Sequence, residues 1–140
     1  MEYIKKPFYN VGDVIFASNY NMKYDYRKPI SDDNNPLIMN FFLVVYSEAS
    51  DNMTLHQKNY QALKITTSMV DETIYNCKYS NIKNPFMPNP GFISCSKLHT
   101  FDTKQIAGCL GQMDSDTMKK VFKIYHRFQC ELERQFLERI

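Results

Sequence analysis

The chain has no tryptophan, only four glycines among its 140 residues, and no apolar run long enough to cross a bilayer. A spanning helix needs about 20 consecutive apolar residues, and the best candidate, Ile38 to Tyr46, is short and interrupted by Asn40. The start, Met1-Glu2-Tyr3-Ile4-Lys5-Lys6, lacks the apolar core of a secretory signal, so a soluble cytoplasmic protein with no membrane partner is expected. A Gly-rich phosphate loop, a His-Glu-x-x-His helix and a Gly-x-Ser-x-Gly elbow are all missing, which leaves nucleotide hydrolysis, zinc peptidase and esterase chemistry without support. The four cysteines, Cys77, Cys95, Cys109 and Cys130, show no metal-ligand or redox-pair spacing. They are expected to be buried reduced thiols, with no metal and no cofactor required. An excess of charge of one sign is missing as well: 17 Lys and Arg nearly balance 15 Asp and Glu, the formal net being +2, which does not by itself demand a nucleic-acid partner.

What is present supports one domain over residues 1–140, with 44% hydrophobic content to build a single core. The charge is unevenly placed: six Lys and Arg face seven Asp and Glu up to residue 60, and eleven face eight beyond it. Attraction to phosphate would therefore come mainly from the second half. Residues 11 to 17 read as a first strand after a Gly-Asp turn. Residues 18 to 36, rich in Asn, Asp, Ser and Pro, read as a long loop. Its Tyr20, Tyr24 and Tyr26, with Lys23, Arg27 and Lys28, either serve unstacked bases and phosphates or pack down locally on a surface loop.

Leu37 to Tyr46 reads as a central strand buried on both faces. Tyr60 to Thr67 alternates as a one-sided strand would, and Thr73 to Tyr79 can pair next. Pro85, Pro88, Pro90 and Gly91 break the chain before Phe92 begins another extended segment. After a small-residue turn the period changes. Met118, Val121, Phe122, Tyr125, Phe128, Leu132 and Phe136 recur three or four apart and predict a helix, capped by Asp114 or Ser115 and favoured by Asp116 in its first turn. Lys119, Lys123 and Arg127 form a solvated stripe on another face.

Four segments in order resemble the MazF/PemK/Kid ribonuclease toxins. They are Val11-Gly12-Asp13-Val14-Ile15-Phe16, Leu43-Val44-Val45-Tyr46, Ile65-Thr66-Thr67-Ser68, and Lys97-Leu98-His99-Thr100-Phe101-Asp102 leading to Gly111-Gln112-Met113-Asp114-Ser115-Asp116-Thr117-Met118. The resemblance implies an α+β fold, a small, strongly bent antiparallel β-barrel-like sheet with a C-terminal helix, as in MazF, Kid and CcdB. It also implies metal-independent RNA cleavage, in which the ribose 2′ hydroxyl attacks the adjacent phosphorus and leaves a 2′,3′-cyclic phosphate and a 5′ hydroxyl.

On that resemblance the hydroxyl that donates to the scissile phosphate is Thr66 in one alignment and Thr67 with Ser68 in another. The family's arginine at the start of its second strand is replaced by Asn40, which cannot supply a positive charge, and Arg27-Lys28-Pro29 offers a loose substitute. Arg27 and His56 complete the expected catalytic set. Lys28, Lys64, Lys97, His99, Thr100 and Tyr26 are the expected RNA contacts, with His99 standing where the family has an RNA-contacting arginine. His126, within the helix, is expected to be structural. The long loop, the polar interval before the third strand and the missing arginine make the chain most similar to the type III ToxN, TenpN and CptN group, CptN above all. That implies a structured antitoxin RNA as partner, cellular RNA as substrate, and a closed protein–RNA oligomer or a homodimer. The alternatives are a MazF-like toxin with a protein antitoxin, a noncatalytic RNA-binding module, and a CcdB-like gyrase poison.

Overall fold

The computed structural model describes residues 3–18, 39–48, 59–67 and 74–140. Six strands come first: β1 (Asp13–Ser18), β2 (Met39–Ser47), β3 (Asn59–Thr66), β4 (Asn76–Tyr79), β5 (Gly91–Asp102) and β6 (Ile106–Gln112). A single long helix, α1 (Ser115–Glu138), follows. The strands form one sheet in the order β4-β5-β3-β2-β1-β6, and each pairing is antiparallel. Register shifts interrupt the β1–β6, β2–β3 and β3–β5 ladders. Such bulges bend a strand and add twist, so the sheet curls toward a barrel. Among the described residues β4 and β6 remain its two edges.

The bent sheet buries apolar side chains on both faces. One face carries Val14, Leu43, Leu63, Ile65, Ile93 and Cys95 against Val121 of α1. The other gathers Ile15, Ala17, Phe42, Val44, Tyr60, Ala62 and Phe101 around Tyr9. Tyr9 is fully enclosed, its backbone N–H donating to Tyr60 Oη at 3.1 Å and its carbonyl accepting from Ser47 Oγ at 2.6 Å. As the continuous Phe-Val run predicts, β2 is central: Phe42, Leu43 and Val44 are all buried although they alternate between faces. Gly12 adopts a left-handed φ of 95°, and the corner it makes feeds Asp13 into β1. The Asp13 carboxylate is buried but answered by Lys6 Nζ at 2.7 Å and the Asn10 N–H at 2.9 Å. The Gly-Asp motif therefore builds the entry to the first strand.

Three elements differ from the expectations. The strand read as one-sided, β3, is buried on both faces, Ala62 on one and Leu63 on the other, because β2 and β5 flank it. The small-residue stretch read as a turn is the edge strand β6. Its glycines admit neighbours: a Cβ on Gly108 would meet Tyr3 Cδ2 at 2.5 Å, and one on Gly111 would meet Phe86 Cδ1 at 2.4 Å. Ile4 then covers the β6 edge through two backbone bonds of 2.8 Å with Cys109.

The third difference lies in α1. Asp114 caps it as expected, accepting from the Thr117 N–H at 3.0 Å, and exchanges two bonds of 2.9 Å with the buried Asn84. Only the first half of its apolar stripe packs on the sheet. Thr117 and Val121 are buried and Phe128 meets Tyr75 at 4.9 Å, whereas Leu132 and Phe136 are exposed. The helix of 24 residues is about 36 Å long, longer than the sheet edge it lies on. No described helix is long and apolar enough to cross a membrane.

Candidate functional site

Strand register brings the chemistry-bearing residues to one face near one end of the sheet. At that end β1 finishes at Ser18 opposite Met39, β3 finishes at Thr66 opposite Phe92, and β4 finishes at Tyr79 opposite Gly91. Side chains alternate along a strand, so Ala62, Lys64 and Thr66 share the face of Phe42, while Leu63 and Ile65 point to the helix side. Phe42 lies directly opposite Lys64, and Ala62 opposite His99. Between Leu63↔Leu98 and Ile65↔Ile93 the β5 strand carries extra residues, Ser94 to Lys97, across from Lys64. That bulge changes the side-chain parity of β5 and puts Lys97 on the same face as His99 and Lys64. Gly91 makes the tip compact, since a Cβ there would stand 2.4 Å from the Thr66 carbonyl oxygen.

His99 is the enclosed member of this group, with 6% of its surface exposed. Its ring meets Phe42 edge-on at 5.2 Å and stacks on Phe101 at 6.4 Å. Nδ1 is sealed, with no hydrogen-bond partner among the described residues. Burial first, then the Lys97 and Lys64 ammoniums, lower its pKa below the ordinary imidazole value, because each disfavours a positive ring. At neutral pH the face therefore presents two ammoniums, a neutral imidazole and the Thr66 hydroxyl. His99 lies level with Ala62, roughly 13 Å along β3 from Thr66 with Lys64 between them, so the set can receive successive phosphates of one strand and stabilise charge on their oxygens.

The other expected residues divide by position. Thr67 is exposed in a bend one residue past the end of β3, outside the strand register that places Thr66. Thr100 pairs with Gln61 and, by the same alternation, lies on the other face from His99, so the structure does not join it to the group. Ser68, Arg27, Lys28, Tyr26 and His56 lie outside the described residues. The residues that bracket Tyr26, Arg27 and Lys28, namely Ser18 and Met39, stand at the Thr66 end. Those bracketing His56, Glu48 and Asn59, stand at the other end, roughly 23 Å along β3. Asn40, where the resemblance expects an arginine, is half-buried on the Phe42 face.

Sequence reasoning missed Lys78 and Phe92. They face each other across β4 and β5, with the Lys78 ammonium 5.7 Å from the ring centroid, and Phe92 is in turn opposite Thr66. The strip Thr66, Phe92, Lys78 thus adds an aromatic ring and a third cation to the tip. Three of the four cysteines are buried as expected, while Cys130 is exposed on α1. Burial pushes the Cys95 thiol up to about 12 and raises Cys77 and Cys109, so none of the three is a thiolate nucleophile at neutral pH. His126 is exposed on α1, beside Cys130 at 3.5 Å and distant in sequence from the tip.

No family model and no curated protein matches the sequence. Solved structures do match the fold. An endoribonuclease in complex with its cognate antitoxin, from mycobacterial species, superposes with a TM-score of 0.58 at 16% identity, over 84% of this chain and 91% of that one. An endoribonuclease from mycobacterial species gives a TM-score of 0.57 at 15% identity, over 85% and 88%. At such identities the likeness is one of fold. The six-stranded antiparallel sheet with a C-terminal helix is the α+β architecture that the sequence resemblance implied.

Proposed function

We propose that the protein is the endoribonuclease toxin of a toxin–antitoxin pair, cutting single-stranded RNA without a metal ion. The observation that carries this reading is the grouping of Thr66, Lys64, Lys97 and His99 on one sheet face, in a fold shared with two mycobacterial endoribonucleases. Cleavage by the substrate's own 2′ hydroxyl needs little covalent chemistry from the protein. It needs the phosphate held in line and its growing charge met by fixed donors. In this reading Thr66 donates to a nonbridging oxygen, and Lys64 and Lys97 neutralise it. Lys78 with Phe92 receives the neighbouring nucleotide by charge and stacking. Arg27, Lys28 and Tyr26, on the segment between Ser18 and Met39, and Ser68, just past Thr67, are proposed to complete the contacts; His56 is proposed as a proton carrier.

The antitoxin is proposed to be a structured RNA that the enzyme trims from its own transcript, giving a closed protein–RNA assembly. The long polar segments 18–36 and 47–59, and Asn40 in place of an arginine, favour that form. A protein antitoxin is the second reading, favoured by the exposed Leu132 and Phe136 on the overhanging half of α1, an apolar strip suited to a peptide. Purifying the protein after expression with its flanking DNA separates the two. A defined small RNA in the complex supports the first, and a bound peptide moves the assignment to the second. Incubation with cellular RNA in EDTA tests the activity itself: an intact RNA pool after prolonged incubation leaves only a noncatalytic RNA-binding role.

A further inference from the structure

His99 is a histidine in a place that makes a poor proton carrier. Around it stand Phe42 on β2, Ala62 and Lys64 on β3, and Lys97 and Phe101 on β5. The charged groups that bear on it, Lys64 and Lys97, are both positive, so no described carboxylate is placed to stabilise an imidazolium. An imidazolium also carries N–H groups on both nitrogens, and Nδ1 is sealed with no acceptor among the described residues to receive one. A buried donor left unpaired costs about 1–3 kcal/mol, and interior N–H groups without partners are rarer than interior acceptors without them. The ring is therefore best accommodated neutral, with a bare lone pair on Nδ1 and the hydrogen on Nε2. Of the two nitrogens only Nδ1 is closed off in this way.

Resting on the ribonuclease reading above, we propose that His99 serves the site as an uncharged Nε2–H donor to an anionic phosphate oxygen, acting beside the Lys64 and Lys97 ammoniums. The donor is fixed in direction by the Phe42 and Phe101 rings and keeps its hydrogen throughout the reaction. A neutral imidazole used in this way polarises an oxygen without transferring a proton. Two separate ammoniums and one neutral donor then do together what a single guanidinium fork would do in one side chain. The proton of the attacking 2′ hydroxyl goes to another base, proposed above to be His56, and not to this ring.

The test combines a spectroscopic and a functional arm on the full chain. In protein labelled with 15N-histidine, with the His99 signals assigned by their loss in His99→Gln, the ring should show the neutral Nε2–H form from pH 6 to 8. An Nδ1–H form, or a charged ring at pH 7, overturns the proposal. In the functional arm, His99→Phe keeps the aromatic packing and removes the donor, whereas His99→Gln keeps an N–H near the Nε2 position. Single-turnover cleavage should fall roughly 10- to 100-fold in the Phe variant and stay within about threefold of wild type in the Gln variant, at equal thermal stability. A Gln variant as slow as Phe, or a Phe variant as fast as wild type, overturns the donor role. A wild-type protein that cuts no RNA overturns the ribonuclease reading instead, a failure distinct from a wrong histidine form.

Discussion

Thr66 and Thr67 are adjacent, chemically identical and equally compatible with the sequence, but the fold makes them unequal. Thr66 is the last residue of β3, half-buried on the face that holds Lys64 and opposite Phe92. Thr67 is exposed in a bend beyond the strand end, without a place in the register. Thr66→Ala removes one hydroxyl from a phosphate that carries charge. A hydrogen bond to a charged group contributes about 1.5–3 kcal/mol, which corresponds to roughly 10- to 150-fold in rate, and a donor aimed at the transition state reaches about 10³-fold. Thr67→Ala should change the rate by less than about threefold, the range of an exposed substitution away from any special contact. Chemical denaturation of both variants separates a loss of rate from a loss of fold. Single-turnover cleavage of an excess-enzyme mixture reports the rate, and affinity for an RNA with 2′-deoxyribose at the cut site reports binding. Equal losses in the two variants, or a larger loss for Thr67→Ala, would refute the face assignment on which the site is built.

Three further perturbations examine the scaffold. Asp114→Ala removes the α1 cap and one of the bonds of buried Asn84, which keeps the Ser80 carbonyl and the residue 114 N–H, so chemical denaturation should show a loss of about 1–3 kcal/mol. Burial raises the Asp114 pKa, but the bonds from Thr117 and Asn84, helped by Lys83, outweigh it and leave the carboxyl below its ordinary value. The bonded carboxylate thus stabilises the fold fully above the unfolded carboxylate range, and that contribution fades as pH drops through the folded value. Asp114→Asn should flatten that acid limb, and an unchanged limb would contradict the assignment. Gly91→Ala should cost about 1–3 kcal/mol and slow cleavage as well, because its Cβ would press on the Thr66 carbonyl and on Tyr79 Oη at 2.9 Å. Leu132→Gln with Phe136→Gln should leave the melting temperature of the isolated protein nearly unchanged, since both side chains already face solvent; a drop of several degrees would show that the helix overhang packs in solution.

Much of the architecture was legible where one local signal decided the matter. The run Leu37 to Tyr46 reads as a strand buried on both faces, which holds for Phe42 to Val44 while Tyr46 is exposed, and Asp114 ahead of Met118 and Val121 announces a helix start. Glycine was ambiguous. Gly108 and Gly111 read as turn residues, yet they serve an edge strand that Tyr3, Ile4 and Phe86 approach closely, a demand set by distant segments. Likewise the periodicity of Leu132 and Phe136 continues the core stripe of α1 past the point where any sheet lies beneath it. At the site, Lys64, Thr66, Lys97 and His99 could be picked out by type. Their common face could not, because it depends on a bulge that alters the parity of β5, and the same geometry separates Thr100 from His99. Lys78 and Phe92 escaped notice because their pairing joins two strands across a proline-rich turn.

On the proposed reading this sheet face positions an RNA phosphodiester for attack by its own sugar. It is tested most directly by a short RNA containing one cut site, incubated in EDTA with the purified protein, in native form and with a single 2′-deoxyribose on the 5′ side of the scissile phosphate. The native strand should give a 2′,3′-cyclic phosphate and a 5′ hydroxyl, and the deoxy strand should bind yet stay whole. Cutting of both strands alike, or of neither, would contradict it.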